Sequence, residues 1–265
     1  MRNVPVARVD ALGVPVLAIG TDYPVEHWLA PHEHRRAQLL YAATGVMRVD
    51  TADGSWTIPT KRAVLIPPRT QHAVEMRGVS TRSLYLEPAA VPWWPRSCLA
   101  VDVSPLLREL LLAAVDLPDP VARETVGDSA QSRRGTALTA LLLEELRALS
   151  PLPLGLPLPG PGTLRVRCLR FQAAPSVRES PEEWARELGM SSRTLGRRFA
   201  AETGLGFSRW RERVVALHGV LRLGEGVPVA RVAADLGYDS PAAFAQMFRR
   251  VLGQSPREFF PRVSP

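Results

Sequence analysis

Two patterns of apolar and polar residues divide the chain. From residue 2 to about 87, apolar residues come in short, often alternating runs, at 14–19, 37–42, 47–51, 55–58, 63–66, 72–76 and 83–86. Asp53-Gly54 and Pro67-Pro68 break these runs as turn formers. A period of two punctuated in this way predicts strands. Many short strands at close spacing predict a small β-barrel or sandwich. The period then lengthens. Residues 91–95, VPWWP, read as an exposed-looking turn with the option of packing on the barrel rim, and Ser104-Pro105 opens a helix with Leu106, Leu107, Leu110, Leu111 and Val115 on one side. After a polar loop at 118–132, residues 137–149 predict a second helix. Its apolar stripe is Leu138, Leu141, Leu142, Leu146 and Leu149, opposite Glu144, Glu145 and Arg147. Such stripes need a partner. Packing on their own barrel and pairing with a second copy of the chain both satisfy them. Residues 151–162, PLPLGLPLPGPG, carry five prolines and exclude a helix, which predicts an extended, semi-rigid linker.

Beyond the linker the pattern is helical throughout. Residues 163–172 form a basic helix with Arg165, Arg167 and Arg170. At 180–203, SPEEWARELGMSSRTLGRRFAAET places Ser180 and Glu183 as a capping box, Gly189 as a turn, and Ser191 or Ser192 at the start of a second helix. That helix buries Leu195 and Phe199 and presents Arg193, Arg197 and Arg198. The plan repeats at 227–260. Val229, Val232, Ala233 and Leu236 form one stripe, Gly237 turns the chain, and Asp239 or Ser240 caps the next helix. Phe244, Met247, Phe248 and Val251 line its inner side, while Ala242, Ala245, Gln246, Arg249 and Arg250 line the outer one. A phenylalanine follows the turn glycine by ten residues in the first copy and eleven in the second. Between the copies, residues 207–223 predict a strut of roughly 25 Å. A helix, a glycine turn and a helix with a basic outer face make a helix-turn-helix reader. Two glycines go against helix propensity here: Gly196 weakens the first recognition helix and Gly219 interrupts the strut.

Charge sharpens the division. Residues 163–265 hold 17 Arg, no Lys and 10 acidic residues, an excess of seven, and the whole chain of 265 residues carries +7. All the excess is in the half with the repeated motif, as a polyanion reader joined to a neutral module requires. Cys98 and Cys168 lie in different segments and suggest neither a disulfide framework nor a metal pair. No apolar run approaches the ~20 residues that span a bilayer, and no signal sequence opens the chain, so a cytoplasmic protein without membrane partners is expected.

On the residues LGMSSRTLGRRFAAETG at 188–204 and LGYDSPAAFAQMFRRVLGQSPREF at 236–259, the last hundred residues resemble the DNA-binding domain of AraC/XylS-type transcription regulators. The resemblance implies two helix-turn-helix units on one linking helix, reading two successive major-groove segments on one face of double-stranded DNA. Carried over by position, Arg193, Arg197, Ala242, Ala245 and Gln246 would face bases. Ser192, Arg198, Ser240, Arg249 and Arg250 would hold phosphates. Arginine grips guanine O6 and N7 with two hydrogen bonds, glutamine pairs with adenine, and alanine touches a thymine methyl.

Within the first half, PHEHRRAQLLYAATG at 31–45 and PPRTQH at 67–72 resemble the cupin pattern, with Gln38 in place of its acidic residue and Arg69 in place of its glycine. On a strand, His32 and His34 would share one face. If the barrel closes, His32, His34 and His72 converge with Gln38 nearby. Two readings stay open: a divalent transition metal (Zn, Ni, Mn or Fe) on that set, or an organic effector in a metal-free pocket. Catalysis of the non-haem iron kind needs a carboxylate that Gln38 does not supply, and Glu33 would point to the opposite face, so no enzyme is expected.

The expected architecture is α+β and multidomain. A cupin-type sensing barrel spans residues 1–95, a helical pair suited to dimerisation 96–150, a linker 151–162, and an all-α DNA-binding domain with two helix-turn-helix units 163–265. The expected function is a sequence-specific transcription regulator whose DNA affinity responds to a small-molecule or metal effector. It would act as a homodimer, with RNA polymerase as a further partner. The alternatives are an effector-independent repressor whose barrel only dimerises, and a cupin enzyme with a DNA-binding tail.

Overall fold

Strands form where the sequence alternates: β1 (Val16–Asp22), β2 (Glu26–His32), β3 (Ala37–Ala42), β4 (Val46–Thr51), β5 (Gly54–Pro59), β6 (Arg62–Ile66), β7 (His72–Arg77), β8 (Ser80–Leu86) and β9 (Leu99–Asp102). β3 shows how they are arranged. All six of its residues are buried, so it is covered on both sides. In the computed structural model, which describes residues 10, 13–117 and 130–260, Ala37, Leu39 and Tyr41 face helices while Gln38 and Leu40 face a second sheet.

The chain divides into two units, residues 1–51 with 58–152 and residues 52–57 with 153–265. In the first, an antiparallel sheet runs β1-β8-β3-β6-β9. Facing it, β7 lies between β4 and β2. The barrel is therefore a two-sheet sandwich. α1 (Pro105–Val115), capped by Ser104, and α2 (Ala130–Arg147) cover the outer face of the first sheet. Leu107, Leu111, Ala114, Leu138, Leu142 and Leu146 pack there on Ala37, Leu39 and Tyr41. Packing on the barrel thus uses most of both stripes, while Leu106 and Leu141 stay 48% and 43% exposed.

Several expectations are corrected. Of the two options for the Trp93-Trp94 turn, packing holds: Trp94 is buried and its Nε1 donates to Ile66 O at 3.1 Å, while Trp93 lies under the Arg147 guanidinium. α2 begins seven residues before the expected start at 137, and residues 118–129 of the expected loop lie outside those described. β2 and β9 carried no alternation strong enough to mark them. β2 is an edge strand with Trp28 half exposed, and a register shift interrupts its pairing between Leu29 and His32.

In the second unit part of the proline-rich segment is a strand. Gly155–Pro157 forms β10, paired with Gly54, Ser55 and Trp56, and Trp210 Nε1 donates to Pro157 O at 2.8 Å. The helices follow in order: α3 (Thr163–Ala173), α4 (Pro181–Glu187), α5 (Ser192–Thr203), α6 (Phe207–Gly224), α7 (Val229–Asp235), α8 (Pro241–Leu252) and α9 (Pro256–Phe259). Ser180 and Glu183 form the capping box, and Gly204 and Gly253 end α5 and α8 with left-handed caps. Around α4, α5 and α6 the core is aromatic, with Phe171, Trp184, Phe199, Phe207 and Trp210 in mutual contact. Around α8 it is Phe244, Phe248 and Phe259. Leu252 rather than Val251 completes the buried stripe of α8.

Candidate nucleic-acid interface and barrel pocket

The two recognition helices are built alike. Ser191 Oγ accepts from Thr194 N and Ser240 Oγ from Ala243 N, so Ser191, and not Ser192, caps α5, and Ser240, not Asp239, caps α8. From each cap, Leu195 and Phe244, then Phe199 and Phe248, fall into the core at matching positions. The unequal spacing from glycine to phenylalanine comes from one extra residue in the second turn, Asp239. Both units pack on α6, an 18-residue helix about 27 Å long.

Ion pairing sorts the arginines. Arg193 and Arg197 are exposed one turn apart on α5, and neither has a partner among the described residues. Arg198 pairs with Glu202, Arg249 with Glu258 at 3.1 Å, and Arg250 with Glu212 at 2.7 Å. The basic face of α3 is largely neutralised. Arg167 lies flat over Trp184, 4.1 Å from its ring centre, and binds both Glu179 and Glu187, and Arg170 joins Glu187. On α8, Ala242 and Gln246 are exposed and Ala245 is half-buried. Gln246 borders a cavity of about 240 Å³ shared with Tyr238, Arg211, Glu212 and Arg250. Burial pushes the Tyr238 hydroxyl up to about 12, so it stays protonated there.

Gly219 has its reason in this packing. A Cβ on it would lie 2.8 Å from Phe244 Cζ and 3.1 Å from Cε2, so only glycine lets α6 and α8 approach this closely. A Cβ on Gly196 would meet nothing within 4 Å.

In the first unit, the sandwich encloses a cavity of about 30 Å³ lined from both sheets, by apolar Ile19, Leu29, Leu40 and Val74 and by polar His32, Gln38, His72 and Tyr85 among others. This is room for one or two waters. His34 joins the cluster, but not from a strand as expected. β2 ends at His32, and His34 reaches in from the turn that follows, fully covered. Arg69 holds that turn, its N donating to His34 O at 2.8 Å. Arg69 takes φ 57°, the left-handed conformation that the cupin glycine would adopt without strain. The ring centres lie 4.3 Å apart for His32 and His72, 5.3 Å for His34 and His72, and 6.4 Å for His32 and His34.

Each imidazole donates from Nδ1 to a nearby carbonyl: His32 to Ala30 O at 2.9 Å, His34 to Arg36 O at 2.7 Å, and His72 to Thr70 O at 2.8 Å. All three therefore carry the proton on Nδ1. On a neutral ring this leaves Nε2 as the acceptor. Burial, reinforced by the neighbouring His32 and His34, lowers His72 to about 4 and keeps it neutral at ordinary pH. Sequence reasoning missed Tyr85, whose hydroxyl is 3.0 Å from Gln38 Nε2 and which burial holds protonated. Its signal is positional, since Tyr85 and Gln38 are register partners on β8 and β3. The donor set does not fit a metal as it stands. Among the described residues no three His, Cys, Asp or Glu side chains are grouped to hold a metal ion, and His34 Nε2 is already engaged, 3.0 Å from Gln38 Oε1. Glu33 is exposed, away from the cluster.

Comparison with known proteins agrees with both halves. Residues 14–152 match the family description "AraC-like ligand binding domain", and residues 184–262 match "Helix-turn-helix domain". The HTH-type transcriptional regulator NimR of Escherichia coli (strain K12) is 32% identical over 236 residues, covering 88% of this chain and 82% of that protein. The HTH-type transcriptional regulator RipA of Corynebacterium glutamicum is 32% identical over 103 residues, 39% of this chain and 31% of that one. Among solved structures, unsaturated fatty acid bound ToxT from Vibrio cholerae covers 93% of this chain and 95% of its own at 12% identity, with a TM-score of 0.36.

Proposed function

The chain belongs to the AraC family of transcription regulators, and we propose that it reads its operator chiefly through Arg193 and Arg197 of α5 and Gln246 of α8. It is a DNA-binding regulator with an AraC-like ligand-binding domain, and not an enzyme. The observation that carries the residue assignment is the pairing pattern: Arg193 and Arg197 are exposed and unpartnered among the described residues, ready for a guanine edge. Ala242 and Ala245 supply methyl contacts beside Gln246. Arg198, Arg249 and Arg250 keep acidic partners that a phosphate can replace, and Ser192 and Ser240, at the N-terminal ends of the two helices, approach the backbone.

The sandwich cavity is the effector site, lined by His32, Gln38, His72 and Tyr85, with His34 joined to it through Gln38. The neutral His72 imidazole, an acceptor at Nε2, and the lack of Lys or Arg in the cavity lining suit a small uncharged hydrogen-bond donor. Leu106 and Leu141, the parts of the α1 and α2 stripes that the sandwich leaves uncovered, are the contact between two copies in a homodimer. No described helix is long and apolar enough to cross a membrane, and we place the regulator in the cytoplasm with RNA polymerase as its further partner.

The test is binding to an operator selected from random duplexes, compared with scrambled DNA. Arg197→Ala should lose ~1–3 kcal/mol of discrimination while binding scrambled DNA nearly as before. Arg250→Ala should weaken both alike and lower the salt slope by about one. Equal losses on both DNAs for Arg197→Ala would remove the assignment.

A further inference from the structure

We infer that Gln38, held by Tyr85, withdraws His34 from metal coordination, so that the sandwich keeps the three histidines of a metal cupin but excludes the metal. The inference rests on reading this cavity as the effector site. His34 donates from Nδ1 to Arg36 O at 2.7 Å, which leaves its Nε2 a lone pair. Facing that lone pair at 3.0 Å is the Gln38 amide, whose other end lies 3.0 Å from Tyr85 Oη. With the amide oxygen toward His34, two acceptors meet unless the imidazole gains a second proton. The cavity lining holds no carboxylate to stabilise that charge. Turning the amide by 180° satisfies every group. Gln38 Nε2 then donates to His34 Nε2, and the Tyr85 hydroxyl donates to Gln38 Oε1. His34 and Gln38 are both almost fully buried, so neither has water as a substitute partner. A chain from tyrosine to amide to imidazole to carbonyl is closed at each link, and a metal ion at His34 Nε2 would have to break the amide–imidazole link and leave the buried Gln38 N–H without a partner.

A carboxylate at the same place reverses the logic. It cannot donate to His34 Nε2, so it accepts from Tyr85 and faces the imidazole with a negative charge that a metal ion relieves in competition with a second proton on the pair. Gln38→Glu therefore converts an excluded site into a binding one.

The experiment uses the full chain with zinc and nickel ions as probes, followed by calorimetric titration and by metal analysis after dialysis. The wild type is expected to retain no equivalent that depends on His34. Gln38→Glu is expected to retain one, at least tenfold tighter than the wild type, and to lose it in the Gln38→Glu/His34→Ala double variant. A wild-type equivalent that His34→Ala abolishes overturns the proposal, and this comparison decides even if Gln38→Glu does not fold. A folded Gln38→Glu protein that gains no metal even at alkaline pH, where a competing proton on the pair is lost, also overturns it. Failure of operator binding with metal exclusion intact would count against the DNA-reading assignment and leave this one standing.

Discussion

Gly219 and Gly196 offer the same substitution in opposite surroundings. Both lie inside helices of the second unit, and alanine at either should gain about 1 kcal/mol from helix propensity. At Gly196 nothing opposes that gain, because the new methyl would meet open space. At Gly219 the methyl would stand 2.8 Å from Phe244 Cζ, where carbon atoms prefer roughly 3.5–4.0 Å. The Phe244 ring is itself fully buried and packed against Phe248 and Tyr238, so it has little room to yield. Overpacking of this kind costs about 1–3 kcal/mol. The expected result is that Gly196→Ala raises stability by up to about 1 kcal/mol and Gly219→Ala lowers it by a similar amount.

Urea unfolding of the full chain, with hydrogen exchange on α6 and α8, measures both. Phe244→Leu supplies the internal control. It shortens the ring that causes the conflict, so it should couple to Gly219→Ala by at least about 0.5 kcal/mol and not to Gly196→Ala. Because α8 carries Gln246, Gly219→Ala should also weaken operator binding. If Gly219→Ala stabilises the protein as much as Gly196→Ala, the close approach of α6 and α8 is not what glycine is there to permit, and the reasoning fails.

Two further outcomes follow from the first unit. His72 is lowered from 6.5 to about 4, chiefly by burial, with His32 on β2 and His34 on the following turn opposing its charge and Gln38 and Tyr85 contributing none. The unfolded chain thus binds more protons between these values. The stabilisation is complete above pH 6.5, is lost as pH falls toward 4, and is on the order of 3 kcal/mol. Urea midpoints of the first unit at pH 7.5 and pH 5 should show the decline, and His72→Gln should flatten it. An equal slope in the variant would assign the decline to other groups. Replacing Leu106 and Leu141 together by Glu should leave secondary structure intact and shift the sedimentation of the chain from dimer to monomer. A dimer that persists would place the contact elsewhere.

Legibility in the sequence followed the number of constraints on each position. The second unit was nearly complete from pattern alone, because caps, turn glycines and buried aromatics all specify the same helix boundaries: α6 and α8 begin where expected at Phe207 and Pro241. In the sandwich the strands buried on one or both faces were visible as apolar runs. β2 was not, since an edge strand with alternating half-exposed residues and a register shift carries little apolar signal. That omission misplaced His34. Two histidines spaced by one residue look like neighbours on a strand, but the strand ends between them, and only the turn closed by Arg69 brings the second imidazole inward. The short β10 was hidden for a different reason: prolines argued correctly against helix but said nothing of a strand partner about a hundred residues away along the chain.

Net charge located the DNA-reading half but could not rank its arginines. The excess of seven is a sum over groups that behave differently once folded. Arg167 is almost wholly covered, stacked on Trp184 and tied to two glutamates, so it stabilises the first helix-turn-helix unit and contributes little to the field outside. Arg198, Arg249 and Arg250 sit in exposed ion pairs of the kind worth at most about 1 kcal/mol, which a phosphate displaces easily. Arg193 and Arg197 alone on α5 have no such partner among the described residues, and they stand one turn apart, as two contacts to neighbouring bases require. Acidic partners therefore do more than balance charge in this unit: by occupying the arginines that position the helix, they leave distinct the two that can read it.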